Sequence, residues 1–305
     1  MIVTLLRGWK LASNAYPNAK KTTLLKQQFK ILLLVFIYPK FAKQWFTQIE
    51  EAPLKQIHQQ RPALYIKPLR VYMSTQWDVY RKSKVILDTY RLLTNHPNDI
   101  FQNILNKNSN ILLATFQLKD GSFATASAGY DSRFRKEGEV VIFLKCEELG
   151  GLITSIAFSF EETKKDCFVC RIGCVQGNRT ETVNVSKKIQ KLLYGQRPSS
   201  LMIFLVQEFI QYLNVTALYG ASDSIQANLQ KHAIHIHKLH NITFSYNKLW
   251  NESQGTLQKN GWFKLPINSQ KRPIETIKSK KRLMYRKRYQ LQDSIAQEFK
   301  KNLLS

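Results

Sequence analysis

The chain has 305 residues, with 46 Lys/Arg against 21 Asp/Glu and a formal net charge of +25. Its 44% hydrophobic and 11% aromatic content excludes a disordered chain, and its length suffices for one large domain or two small ones with a real core. The basic excess points to anionic partners: nucleic acid, an anionic membrane surface, phosphorylated lipid or an acidic carrier protein.

The charge gathers at the two ends. Residues 1–100 hold 16 Lys/Arg and 5 Asp/Glu, net +11. Residues 101–270 hold 19 and 13, net +6, and residues 271–305 hold 11 and 3, net +8. This divides the chain into a helical N-terminal region (1–105), a mixed α/β core (106–270) and a basic C-terminal helix (271–305).

The opening, MIVTLLRGWKLASNAYPNAKK, lacks the charged, apolar and small-residue succession of an export signal. Residues 20–50 read as one helix, kinked or broken at Pro39. Its strongest apolar run, Ile31 to Tyr38, is far short of the ~20 residues that cross a bilayer. Lys43, Trp45 and Phe46 make its second half amphipathic, suited to the core or to a membrane interface. The chain is therefore expected in the cytosol, dissolved or held peripherally at the membrane from inside.

Pro53, Pro62 and Pro68 mark 52–70 as a connector, and helical patterns return at 76–94 and 99–107. The period then changes. Segments 111–118, 122–130, 139–146, 152–160 and 166–177 are short, β-rich and bounded by turn residues, an antiparallel β-meander. Helices at 180–194 and 198–213 follow, then a strand at 215–222, a helix at 224–238 and a strand at 242–246. The fold class is α+β, a meander followed by helix–strand–helix–strand with partial parallel pairing. A basic helix opens near Pro273 and closes the chain.

Several strings resemble the VirK/YbjX family: R-K-E-G-E-V (135–140), V-Q-G-N (175–178), Y-G-Q-R-P (194–198), F-S-Y-N-K-L-W-N-E-S-Q-G (244–255), G-W-F-K-L-P (261–266) and I-E-T-I-K-S-K-K-R-L-M-Y-R-K-R-Y (274–289). They occur in the family's order. Asn247 stands where the pattern has Asp, which argues against a charge-based role there. The resemblance implies an envelope or virulence factor of Gram-negative bacteria, supporting surface integrity or resistance to antimicrobial peptides, peripheral to the inner membrane. It implies no reaction.

The element order is also similar to the GNAT-like acetyltransferase fold. There, backbone amides after the fourth strand and the next helix N-terminus hold the pyrophosphate of an acyl carrier, as helix starts bind anions. On that resemblance Gln176, Gly177 and Arg179, or Gly195 and Arg197, would take acyl-CoA or an acyl carrier protein. Glu137 and Glu139 flank Gly138 at a strand start, and two-residue spacing places them on one face. Either can serve as a general base toward an amine or hydroxyl; the alternative is an edge turn with two solvated carboxylates.

In the C-terminal helix, Lys280, Lys281, Arg282, Arg286 and Arg288 form an anion-binding face. Tyr285 and Tyr289 among them would also permit base stacking in a nucleic-acid binder, although no recognised module is present. Ile277, Met284, Leu291, Ile295 and Phe299 make an opposing apolar stripe. Trp250 and Glu252 are the residues to inspect if a substrate pocket opens beside Tyr246, Trp262 and Phe263. His232, His235, His237 and His240 lack a completing carboxylate or cysteine, so no metal is expected. Cys146, Cys167, Cys170 and Cys174 read as reduced, buried thiols. A non-catalytic adaptor at the inner-membrane surface remains the rival to acyl transfer.

Overall fold

Five β-rich segments in succession build most of the sheet: β1 (Asn110–Gln117), β2 (Phe123–Gly129), β3 (Val140–Cys146), β4 (Gly151–Lys164) and β5 (Cys167–Gly177). Each pairs antiparallel with the next, so the expected meander is present. The computed structural model describes residues 1–106, 109–177, 183–227 and 245–304, apart from the side chains of 183–186. Within them, β6 (Val215–Ala221) runs parallel to β5, and β8 (Trp262–Leu265) and β7 (Thr256–Leu257) follow antiparallel at the edge.

The crossover from β5 to β6 uses α7 (Val183–Leu192) and α8 (Pro198–Ile210). Pro198 occupies the first turn of α8, where its missing N–H has no intrahelical role. Eight consecutive residues of β4, Ile153 to Phe160, are buried. The run is apolar except for Thr154, Ser155 and Ser159, as suits a strand covered on both faces. The helix α8 packs on β3, β4 and β5, while α10 (Ser279–Leu304) packs on β1.

The N-terminal region contains α1 (Ile2–Ala15), α2 (Lys21–Ile37), α3 (Pro39–Ile49), α4 (Leu54–Gln60), a 3-10 helix (Pro62–Leu69), α5 (Val79–Thr94) and α6 (Ile100–Asn103). The break expected at Pro39 divides the helix over 20–50 into two. Pro39 cannot donate within a continuing helix, and it restricts Tyr38, which ends α2 at φ −130°. The interface role considered for Trp45 and Phe46 is not met, since both are fully buried and the Trp45 indole donates to the Tyr65 carbonyl at 2.9 Å. The expected connector over 52–70 is largely helical, with Pro53 just before α4 and Pro62 in the first turn of the 3-10 helix.

The long strand β4 outruns β3. Beyond Phe158 its β3-side edge has no strand partner among the described residues, and α5 supplies one in side chains. Thr89 Oγ1 accepts from the Phe160 N–H at 2.8 Å and has the Val85 carbonyl at 2.7 Å and the Phe160 carbonyl at 3.1 Å as acceptors for its one proton, while Asp88 accepts from the Glu162 N–H at 2.9 Å. Buried peptide groups need such partners, and these bonds register α5 on the sheet.

Two further expectations change. Tyr246, expected to close a strand over 242–246, begins α9 (Tyr246–Glu252). Ser245 caps that helix by accepting from the Lys248 N–H, and Asp223 accepts from the Tyr246 N–H at 2.7 Å. Residues 242–244 lie outside the described residues. The helix expected from 224 begins instead as a turn, with Gln226 bridged to Ser74, and its remainder from 228 lies outside the described residues.

Candidate active site

Strand β5 changes partnership along its length. It pairs with β6 from Phe168↔Val215 to Ile172↔Gly220, then continues to Gly177 paired with β4. Among the described residues no strand pairs with its β6-side edge beyond Ile172. β5 is thus antiparallel to β4 and parallel to β6, and its carboxyl-terminal stretch runs on past the parallel pairing. Part of this edge is met by α9, since the Tyr246 hydroxyl donates to the Val175 carbonyl at 3.2 Å.

A second segment closes over the same place. Asp131 caps a short 3-10 turn (Ser132–Phe134), accepting from the Arg133 N–H at 2.8 Å, and the chain then crosses β4 toward β5. The crossing requires two residues without side chains. A Cβ on Gly138 would lie 2.5 Å from the Phe158 nitrogen, and one on Gly173 would lie 1.9 Å from the Glu137 carbonyl oxygen. Glu137 is thereby held over β5 at Gly173, and it is buried. Burial first, then the nearby Glu137 charge, pushes the Cys174 thiol well above its ordinary range. Burial, Cys174 and Glu137 do the same for the Tyr246 phenol. A carboxylate, a thiol and a phenol are thus buried near one another beside β5.

Glu139 is also buried, so neither carboxylate is a solvated turn residue. Its surroundings differ from those of Glu137. Lys67 pairs with it, the Tyr90 hydroxyl donates to it, and its own N–H donates to Ser159 Oγ at 3.0 Å. Arg61 donates to the Tyr90 hydroxyl at 3.1 Å and to the Leu105 carbonyl at 2.6 Å, and its guanidinium lies 3.4 Å from the centre of the Tyr130 ring. Burial opposes the Glu139 charge, but Lys67, Tyr90 and Arg61 more than offset it and hold its carboxyl below the ordinary range. The Tyr72 and Tyr90 phenols are pushed far up by burial and by Glu139. This network ties α5 and the 3-10 helix to the start of β3. Nothing near Glu139 in the sequence indicates it, because Lys67, Tyr90 and Arg61 come from 49 to 78 positions away.

The other predicted site residues are distributed as follows. Gln176 and Gly177 end β5, and the Gln176 carbonyl accepts from Thr154 Oγ1 at 3.0 Å. Arg179 and the four histidines, His232, His235, His237 and His240, lie outside the described residues. Gly195 has a positive φ of 74° and is covered by Met284 and Arg288: a Cβ there would lie 2.9 Å from the Met284 sulfur. Arg197 pairs with Glu252 at 2.5 Å, joining the start of α8 to the end of α9. Since α8 leads into β6, whose Val215 pairs near the start of β5, the start of α8 lies toward the carboxyl ends of both strands.

Trp250 is fully buried against β6. Its ring lies across Gly220, where a Cβ would meet it at 2.5 Å, and its indole donates to the Ala221 carbonyl at 2.8 Å. Asn247 works by hydrogen bonding, accepting from the Asp223 N–H at 2.9 Å. In the first turns of α10, Lys280, Lys281 and Arg286 are exposed. Arg282 caps the Ile277 and Glu275 carbonyls, and Arg288 donates twice to the Tyr194 carbonyl, at 3.2 and 2.9 Å. Of the apolar stripe, Ile277, Leu291, Ile295 and Phe299 are buried and Met284 is half-buried.

A second buried ionic group was not anticipated. Arg171 and Arg81 both bind Glu161, at 2.5 and 3.1 Å, and the Arg171 guanidinium lies 4.8 Å from the Trp262 ring, which stacks on Trp77. Among the described residues no three His, Cys, Asp or Glu side chains are gathered for a metal ion.

Comparison with known proteins gives the family context. Over 270 residues the chain is 24% identical to the uncharacterised protein YbjX of Escherichia coli, covering 87% of this chain and 80% of that one. It is 33% identical over 128 residues to an uncharacterised protein of Haemophilus influenzae, spanning only 41% of either chain. Among solved structures, a point mutant of a cAMP-binding acyltransferase from Mycobacterium smegmatis matches at 8% identity, over 73% of this chain and 65% of that one. Its TM-score of 0.31 is too low to carry an argument. The model of the family described as a protein of unknown function, DUF535, matches residues 20–301, and the chain therefore belongs to this family, that of VirK and YbjX.

Proposed function

We propose that the chain transfers an acyl group from a thioester carrier to an amine or hydroxyl of an envelope component, at the open edge of β5. One observation carries this reading: Glu137, Cys174 and Tyr246 are buried together beside the stretch of β5 past Ile172, whose β6 side no strand pairs among the described residues. Acyl transfer needs a group that takes a proton from the nucleophile and one that gives a proton to the departing thiolate. Glu137 suits the first role. The Tyr246 phenol, kept protonated by its surroundings, suits the second. The nucleophile's N–H or O–H proton passes to Glu137, its lone pair forms the bond to the acyl carbon, the C–S bond breaks, and Tyr246 protonates the sulfur. Glu139, bound to Lys67 and Tyr90, has a positioning role at the base of the same segment.

An acidic carrier, either acyl-CoA or an acyl carrier protein, would meet the exposed cations Lys280, Lys281 and Arg286. Their helix packs beside Tyr194 and Gly195, just before the start of α8. The test is thiol release from acyl-CoA or acylated carrier protein with a Gram-negative envelope extract as acceptor. Glu137→Gln and Tyr246→Phe should each lower turnover about 10²–10⁴-fold, with an unchanged melting transition. Full turnover in both variants, or no acceptor-dependent thiol release by the parent chain, overturns the reading.

A further inference from the structure

The helices α1 and α2 turn their apolar side chains outward. On α2, Leu25, Phe29, Leu32, Leu33 and Phe36 are exposed, spaced as one helical stripe, and Phe36 is 80% exposed. The opposite face buries Gln27 and Gln28 beside Ile31, Leu34 and Val35. Amides inside and phenylalanines outside are the reverse of what water alone selects. On α1, Ile2, Val3, Leu6 and Trp9 are likewise exposed. The two stripes meet in a shallow groove of about 240 Å³ lined by Met1, Leu5, Leu32, Leu33, Val35 and Phe36. A contiguous apolar surface of this kind marks a contact with something other than water.

Charge identifies the partner. The first 49 residues hold eight Lys/Arg and no Asp or Glu. Lys10, Lys20, Lys21, Lys26, Lys30, Lys40 and Lys43 are all exposed. Apolar side chains flanked only by long cationic ones suit an anionic lipid surface, where the stems lie along the acyl boundary and the ammonium groups reach the phosphates. No helix among the described residues is long and apolar enough to cross a membrane. The 17 residues of α2 extend about 25 Å, less than the ~30 Å of a hydrocarbon core.

We propose that the outer face of α1 and α2 lies in the plane of an anionic bilayer, with Leu6, Trp9, Leu25, Phe29 and Phe36 inserted at the headgroup–acyl boundary. This contact is independent of the acyl-transfer reading. The cations of α10 are left for a soluble partner.

The full chain is tested with vesicles of phosphatidylcholine alone and with one quarter phosphatidylglycerol. Binding is expected only to the second, and it should persist in part at ~1 M salt, where the screening length is ~3 Å. Trp9 is the probe, because Trp45, Trp77, Trp250 and Trp262 are each no more than 5% exposed. Lipids brominated on the acyl chain should quench its fluorescence in the parent chain and not in Trp9→Phe. The triple variant Leu25→Ser, Phe29→Ser, Phe36→Ser should bind more weakly by about ten-fold or more, with an unchanged melting temperature. Absence of quenching in the parent chain overturns the proposal without needing any variant. Binding that survives the triple variant but is lost on changing Lys280 and Lys281 to Ser moves the contact to α10. A vesicle-independent dimer abolished by the triple variant shows the face to be a protein interface.

Discussion

Gly173 on β5 lies so close beneath Glu137 that a methyl group on it would sit 1.9 Å from the Glu137 carbonyl oxygen. The backbone of the segment before β3 rests directly on the sheet at this point. Gly173→Ala should displace that segment and destabilise the fold by about 1–3 kcal/mol, the usual cost of overpacking. Gly150→Ala is a suitable reference, since it has no neighbour within 4 Å and meets only backbone strain at φ 90°. Denaturant midpoints of both variants test this. Equal or smaller loss at Gly173 would show that the segment can move away freely.

The pair Lys67–Glu139 is expected to be costly to break and cheap to replace. Lys67→Met alone leaves a buried carboxylate without its cation and should cost about 3–5 kcal/mol. Lys67→Met with Glu139→Leu removes both charges and should recover a large part of that loss. A double-mutant cycle from urea unfolding gives the coupling. Additive losses would mean that Tyr90 and Arg61, rather than Lys67, keep Glu139 ionised.

Acid stability should depend on Glu161. Burial opposes its charge, but Arg171 and Arg81 more than offset this and hold its carboxyl below the ordinary 4.5. The unfolded chain therefore takes up the proton at a higher pH than the folded one. The contribution is fully present above about pH 5 and is lost as pH falls through 4.5 to the folded value. Glu161→Gln should flatten the acid limb of stability against pH and leave its alkaline limb in place. An unchanged acid limb in this variant counts against the ion pair as its source.

The cysteines should separate by accessibility. Cys167 is the partly exposed one, while Cys146, Cys170 and Cys174 are buried. Burial pushes the Cys170 and Cys174 thiols well above 9.0. At neutral pH an aromatic disulfide reagent should modify one thiol quickly, lost in Cys167→Ser, and all four after guanidinium unfolding. Rapid native modification of Cys174 would show that the space shared with Glu137 and Tyr246 opens to solvent.

Thr89 should matter out of proportion to its size. Thr89→Val keeps the shape but removes the acceptor of the Phe160 N–H. With the peptide group left unsatisfied, the expected loss is about 1–3 kcal/mol. Hydrogen exchange at the Phe160 amide should rise in the same variant, and unchanged protection there would mean that water or another side chain replaces the hydroxyl.

Local pattern by itself determined the meander, the crossover helices and β6, because period, turn residues and β-branched runs act over a few neighbouring positions. It also determined the helix boundary at Pro39 and the basic opening of α10. The order Gly-Glu around Gly138 marked a special segment as well. Tertiary structure alone decided what those elements meet. Glu137 and Glu139, two positions apart, have different partners because Gly138 and Gly173 carry the chain across the sheet, and those partners come from distant segments. Tyr246 reads as a strand residue by its neighbours, yet Asp223 fixes it as the start of α9. The apolar run of α2 was plain in the sequence, but which side turns outward depended on where α1, α3 and the 3-10 helix pack. Hydrophobicity is a property of residues; exposure belongs to the assembled fold.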